Sequence, residues 1–209
     1  MLDIHPPHEA AHTWKDFFIH IATIVIGLII AVGLEQTVEF FHHRHSAADA
    51  RASIQKETSV DLALLHYNLQ SLAEGKQQLE TGLDALNSNA SDADVLTHLQ
   101  YVWKLDKERD AAWQAAKIDG SLALIPSAQL AAASYFYGSN DNLTPTVFAY
   151  FADIDTAAAI VDHARATGTL TASERQQLLS RTMSALGYTR LLTGLYEFRA
   201  RAAEKVHLQ

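Results

Sequence analysis

Between Asp16 and Glu35 the chain runs for eighteen consecutive positions without a charged side chain, FFIHIATIVIGLIIAVGL, residues 17–34. As a helix this segment is roughly 27 Å long, the hydrocarbon thickness of a bilayer. Only His20 and Thr23 interrupt its apolar character, and neither carries an obligatory charge. Trp14, Phe17 and Phe18 stand at one end and Phe40 and Phe41 at the other, as aromatic side chains do at the two headgroup levels. A cleaved signal peptide needs a basic start, a shorter apolar stretch and a small-residue cleavage site. Here the start is mixed in charge and Glu35-Gln36 follows the run. A core helix of a water-soluble protein seldom goes eighteen positions without a charge. The pattern predicts a membrane-spanning helix over 17–38, preceded by a tail at 1–16.

His20, Thr23, Gly27, Ala31 and Glu35 are spaced by three or four residues and share one side of that helix. Thr23, Gly27 and Ala31 form a small-xxx-small series that lets a second helix approach closely, so this stripe is the expected packing face of the span. The alternative is that Gly and Ala are merely common in membrane helices. Glu35, at the membrane edge, reads with Glu39 as an anchor, because a carboxylate is costly only near the bilayer centre.

Beyond the span neither Gly nor Pro occurs between Gly33 and Gly75, which predicts a helix that continues unbroken. Leu62, Leu65, Leu69, Leu72, Leu79, Leu83 and Leu86 fall on three- and four-residue steps and predict a heptad seam that must be buried. The polar run after Leu86 supplies a turn. A second helix is expected over about 94–117, with Leu96, Leu99, Val102, Trp103 and Trp113 inward and Gly120 as its stop. An extended link then leads to a short helix capped by Ser127 and ending at Gly138. Thr144 and Pro145 read as the cap and first turn of a helix running to Gly168. Thr171 and Glu174 form a capping-box pattern opening the last helix, with Leu178, Leu179, Met183, Leu186, Leu192 and Leu195 along it. No strand-like alternation is present. The expected fold is all-α: one N-terminal transmembrane helix continuing into an antiparallel bundle of about four or five helices over 39–209.

The net charge of −8 and the absence of any basic block argue against nucleic acid as a partner. Cysteine is absent, which excludes disulfides, thiolate metal sites and cysteine nucleophiles. Histidine is the enriched reactive type, with eleven in the chain. His5, His8 and His12 precede the span, and His42, His43 and His45 follow it. His8 with His12, or His42 with His45, can present two imidazoles to Zn²⁺ or Cu²⁺. The two clusters lie about 45 Å apart along a continuous helix and cannot meet in one monomer. The plainer reading makes them polar residues at headgroup level, with no metal bound. His20 could ligate a haem or pigment metal, but it lies one turn inside the boundary, where an ordinary interface residue is expected. Asp106 and Glu108, like Asp153 and Asp155, have no matching base or ligand spacing and read as solvated helix faces.

Two stretches together resemble a widespread group of bacterial single-pass membrane proteins of uncharacterised function. The first is IGLIIAVGLEQ, residues 26–36, where an apolar Gly-containing helix ends in a short polar signature before a long polar helix. The second is AWQAAKIDGSLALIP, residues 112–126, a helix ending in Gly, then Leu, then an Ile-Pro link to a helix bearing Tyr135 and Tyr137. The resemblance covers most of the chain. It implies anchoring in the bacterial inner membrane, with the tail cytoplasmic and the bundle periplasmic, and it implies no activity. The tail departs from the group in lacking the basic residues that would hold it in the cytoplasm, Lys15 excepted. By the positive-inside rule, Arg44, Arg51 and Lys56 against the single Lys15 lean the other way.

The function expected from these features is that of a helical accessory or interaction protein without intrinsic catalysis or cofactor. Its partners would be the bilayer and other membrane subunits or a second copy. A membrane-tethered sensor or small-ligand-binding bundle is the alternative, weakened because only about sixteen residues precede the span. Histidine-mediated metal, haem or pigment binding in a respiratory or photosynthetic membrane complex comes third.

Overall fold

A computed structural model describes residues 14–101 and 104–208. The described residues form α1 (Trp14–Asn87), α2 (Asp92–His98), α3 (Ala111–Ile118), a 3₁₀ turn (Ser121–Leu124), α4 (Ser127–Gly138), α5 (Asn140–Thr167) and α6 (Ala172–Ala203), with no strand among them. The chain divides into two compact units, the first ending at Ala47 and the second beginning at Ala48.

In the first unit α1 is long and apolar enough to cross a membrane. Every side chain over 17–45 is exposed, including the whole uncharged run. Phe17 and Phe18 pack edge to face with ring centres 5.8 Å apart, as Phe40 and Phe41 do at 5.7 Å.

In the second unit α1 buries Ile54, Thr58, Asp61, Leu65, Asn68, Leu72, Gly75, Leu79, Gly82 and Leu86. These steps alternate strictly between four and three residues, which keeps one seam inward along the helix. The expected seam was half right. Leu65, Leu72, Leu79 and Leu86 belong to it, whereas Leu62, Leu69 and Leu83 are only half-buried. The positions between are held by polar or very small residues, and the reason lies in what packs there. A Cβ on Gly75 would lie 3.5 Å from the Tyr150 hydroxyl, and one on Gly82 would lie 3.1 Å from Leu99 Cδ2. Helix α6 repeats the pattern with Leu178, Thr182, Ala185, Thr189, Leu192, Tyr196 and Arg199 buried, and Met183 is exposed.

At one end of this unit a hydrophobic cluster joins Leu86 of α1, Val95 and Leu96 of α2, Leu99, Ala157, Val161 and Ala164 of α5, Leu170, and Leu178 of α6. Complete burial of a side chain such as Leu178 is worth about 1.5–3 kcal/mol. The carbonyl groups left open where helices end in this cluster are met by arginines. Arg175 Nη1 donates to Leu86 O at 2.9 Å, and Arg165 Nη2 donates to Leu96 O and Leu99 O at 3.1 and 2.9 Å. Gly168, at φ 73°, closes α5, and α6 opens on the expected capping box of Thr171 and Glu174.

Four local expectations are corrected. The helix expected over 94–117 is two helices joined by a strap whose described residues, 99–101 and 104–110, are non-helical; Val102 and Trp103 lie outside the described residues. The strap takes its hydrogen bonds from α1 side chains. Asn68 Nδ2 donates to Asp106 O at 2.8 Å while Asn68 Oδ1 accepts from Asp106 N–H at 2.9 Å. Asp61 Oδ1 accepts from Arg109 N–H at 3.0 Å, and Glu57 Oε2 accepts from Ala112 N–H at 2.8 Å. Backbone groups satisfied in this way have no need of a helix. The link after Gly120 is a 3₁₀ turn, entered through Gly120 at φ 80° and held by the Ala123 N–H to Gly120 O bond. At α4 the cap position belongs to Pro126, whose carbonyl accepts from Gln129 and Leu130 N–H, and Ser127 is the first helical residue. Helix α5 begins at Asn140, four residues before Thr144, with Pro145 inside it. So near the N-terminus the proline forfeits only one intrahelical bond, the one its N–H would have made to Asp141.

Candidate functional site

One buried polar position from each seam, Asp61 of α1 and Arg199 of α6, meets Glu108 of the strap in an ionic cluster. Arg199 of α6 is 1% exposed, and Asp61 of α1 and Glu108 of the strap are buried with it. Arg199 Nη1 donates to Phe136 O at 3.0 Å and to Ser139 Oγ at 2.6 Å, and the guanidinium lies 4.6 Å from the centre of the Phe136 ring. Arg199 Nε stands 3.8 Å from Glu108 Oε1, close enough for ionic attraction but too far for a hydrogen bond. Arg199 Nε and Nη2, Glu108 Oε1 and Asp61 Oδ2 are buried with no hydrogen-bond partner among the described residues. Nearby, the Tyr137 hydroxyl donates to Glu57 Oε1 at 2.9 Å and lies 3.2 Å from Thr58 Oγ1, and its ring stacks on Trp113 at 4.9 Å.

Burial pushes the Glu108 carboxyl above the usual carboxylate range, and the Arg199 charge opposes the shift. Burial likewise raises Asp61, against the hydrogen bond from Arg109 N–H, and lowers Arg199, against the pull of Glu108. Removing one member of such a buried pair leaves an uncompensated charge and costs about 3–5 kcal/mol.

A cavity of about 310 Å³ lies beside the cluster. Leu143, Val147, Phe148 and Phe151 of α5 form its apolar wall, and Glu108 and Tyr196 line it from the side of the charges. Asp106, Lys107 and Asp110 of the strap also line it. The reading of Glu108 as a solvated helix face is therefore overturned: it lies on no helix and is buried. Asp153 is buried too and receives Arg181 Nη1 at 2.8 Å. The signal that could have found Arg199 was its place in the seven-residue repeat after Leu192 and Tyr196.

The residues of the expected span face stay on one side of α1. His20, Thr23, Gly27, Ala31 and Glu35 are all exposed, and a Cβ on Gly27 would meet nothing within 4 Å. Thr23 Oγ1 donates to Ile19 O at 2.9 Å, so its hydroxyl is satisfied within the helix, and His20 Nδ1 lies 2.8 Å from Asp16 O. His42, His43 and His45 are exposed; the rings of His42 and His43 are 6.4 Å apart, and His43 Nε2 is 3.8 Å from Glu39 Oε1. Among the described residues no group of three or more His, Asp or Glu side chains is placed to hold a metal ion. His5, His8 and His12 lie outside the described residues.

No family model, curated protein or solved structure matches this chain. The class that can be stated is that of an all-helical protein with one long apolar N-terminal helix.

Proposed function

We propose that this protein is a membrane-anchored accessory or interaction protein, whose span crosses the bilayer over 17–38 and whose remaining helices form an antiparallel bundle beside it. The observation that carries this reading is the uncharged run over 17–34 with all of its side chains exposed. Its twelve Phe, Ile, Leu and Val side chains favour insertion by roughly 4–7 kcal/mol together on biological insertion scales. In water the same surface would be an apolar patch far beyond what a soluble monomer exposes. The face of His20, Thr23, Gly27, Ala31 and Glu35 docks a second helix, from another subunit or a second copy. In the bacterial inner membrane the tail lies on the cytoplasmic side and the bundle in the periplasm.

The test is fractionation of the full chain, followed by native mass spectrometry of the detergent extract. The protein is expected to stay with membranes through an alkaline carbonate wash and to leave only with detergent, as an assembly that Gly27→Ile weakens. Release without detergent overturns the anchoring, and association unchanged by Gly27→Ile overturns docking through that face.

A second reading, a membrane-tethered bundle that binds a small ligand, is supported by the cavity beside Glu108.

A further inference from the structure

Glu108 presents an unusual combination. Its side chain is 5% exposed, its Oε1 has no hydrogen-bond partner among the described residues, and it lines a cavity that Leu143, Val147, Phe148 and Phe151 also line. The nearest cation does not meet this demand, because Arg199 Nε is 3.8 Å away and Arg199 Nη1 is committed to Phe136 O and Ser139 Oγ. A buried carboxylate oxygen without a donor is costly, and the cost is relieved by any donor that enters with it. We propose that the cavity binds a small protonated amine carried on an aromatic or short aliphatic body, with the ammonium directed to Glu108. This rests on the second reading above, that the cavity admits a small molecule.

Three observations select the class. The volume of about 310 Å³ is at the lower end of ligand sites, which span roughly 300–1,000 Å³, so one ring and a short chain fit and a large cofactor does not. The lining carries three carboxylates, Asp106, Glu108 and Asp110, against the ammonium of Lys107, and with the Arg199 charge beside Glu108 the balance is still one negative charge, which favours a cation over carboxylate or phosphate ligands. Phe148 is 67% exposed at the edge of the apolar wall, a large aromatic surface that a ligand ring would cover and whose face attracts a cation. An ammonium brings three donors and no acceptor, the complement of a carboxylate lacking a donor.

The experiment is isothermal titration of the detergent-solubilised full chain with 2-phenylethylamine, 2-phenylethanol and 3-phenylpropionate, which share a ring and differ in charge. The amine is expected to bind about tenfold or more tightly than the alcohol, as a charge-assisted hydrogen bond to a buried group requires, with no binding of the propionate. Glu108→Gln brings the amine to the level of the alcohol, and Phe148→Ala, which removes an exposed side chain and spares the core, weakens both. Equal binding of amine and alcohol, or tighter binding of the propionate, overturns the amine assignment and leaves the cavity reading standing. Absence of binding by all three overturns both. Should Glu108→Gln fail to fold, the charge series on the unmodified chain and on Phe148→Ala decides alone.

Discussion

Replacing Asn68 with alanine removes the side chain that holds the strap over 99–110 against α1. Asn68 is fully buried, and its amide makes two bonds to one residue, giving a hydrogen to Asp106 O at 2.8 Å and accepting one from Asp106 N–H at 2.9 Å. A neutral hydrogen bond contributes about 1 kcal/mol net, so the pair accounts for about 2 kcal/mol. The gap left in a close-packed seam adds to this. Asp106 itself is exposed, so its freed backbone groups regain water and the full penalty of orphaned groups does not apply. The expected loss is about 2–3 kcal/mol in urea unfolding of the full chain in detergent. Leu72→Ala in the same seam costs about 2–5 kcal/mol and leaves the strap's bonds alone, so it serves as the control. Amide hydrogen exchange separates the two: Asn68→Ala exposes the Asp106 and Arg109 amides to exchange, and Leu72→Ala does not. A loss below about 0.5 kcal/mol, or an Asp106 amide still protected in Asn68→Ala, refutes the argument that seam polarity holds the strap. Because the strap carries Glu108, the same variant also loosens one wall of the cavity.

The two seam glycines respond differently to a methyl group. Gly75→Ala places its Cβ at an ordinary 3.5 Å from the Tyr150 hydroxyl and is expected to stabilise by about 0.5–1 kcal/mol through helix entropy. Gly82→Ala meets Leu99 Cδ2 at 3.1 Å and is expected to gain less or to lose, and urea midpoints in the reverse order contradict the packing described. Glu174 is held down at about 2 by the Thr171 hydroxyl, then the Thr171 N–H and His163, against an ordinary value of 4.5. A carboxyl lowered on folding contributes stability that is complete above 4.5 and is lost as pH falls toward 2. Glu174→Gln is therefore expected to flatten the melting temperature between those values relative to the unmodified chain, and parallel profiles would refute the capping-box assignment.

Some elements were legible because their causes are local. The capping box at Thr171 and Glu174 and the glycine stop at Gly168 depend on residues within a turn of each other, and both were read correctly. The continuous helix beyond the apolar run was legible because nothing between Gly33 and Gly75 breaks it. The seam of α1 was legible only where leucine marked it. Choosing Leu62 and Leu69 over Asp61 and Asn68 follows the rule that apolar residues go inside, and the rule fails where a neighbour offers hydrogen bonds to a buried polar group. The strap was missed for the same reason, since residues 99–110 contain no Gly or Pro and many good helix formers. Of the candidate site, local pattern places Glu108 on a solvated face and does not single out Asp61 or Arg199.

What the amino-acid order determined alone was the all-helical character, the position of the apolar segment and two helix ends, the glycine stop at Gly168 and the capping box at Thr171 and Glu174. Each of these follows from composition or from neighbours a few positions away. Only the tertiary structure decided which polar residues are buried, where the second helix breaks, and that Asp61, Glu108 and Arg199 lie near one another beside a cavity. Those outcomes depend on partners tens to more than a hundred residues apart, whose hydrogen bonds and packing override local preference, and no window along the chain contains them.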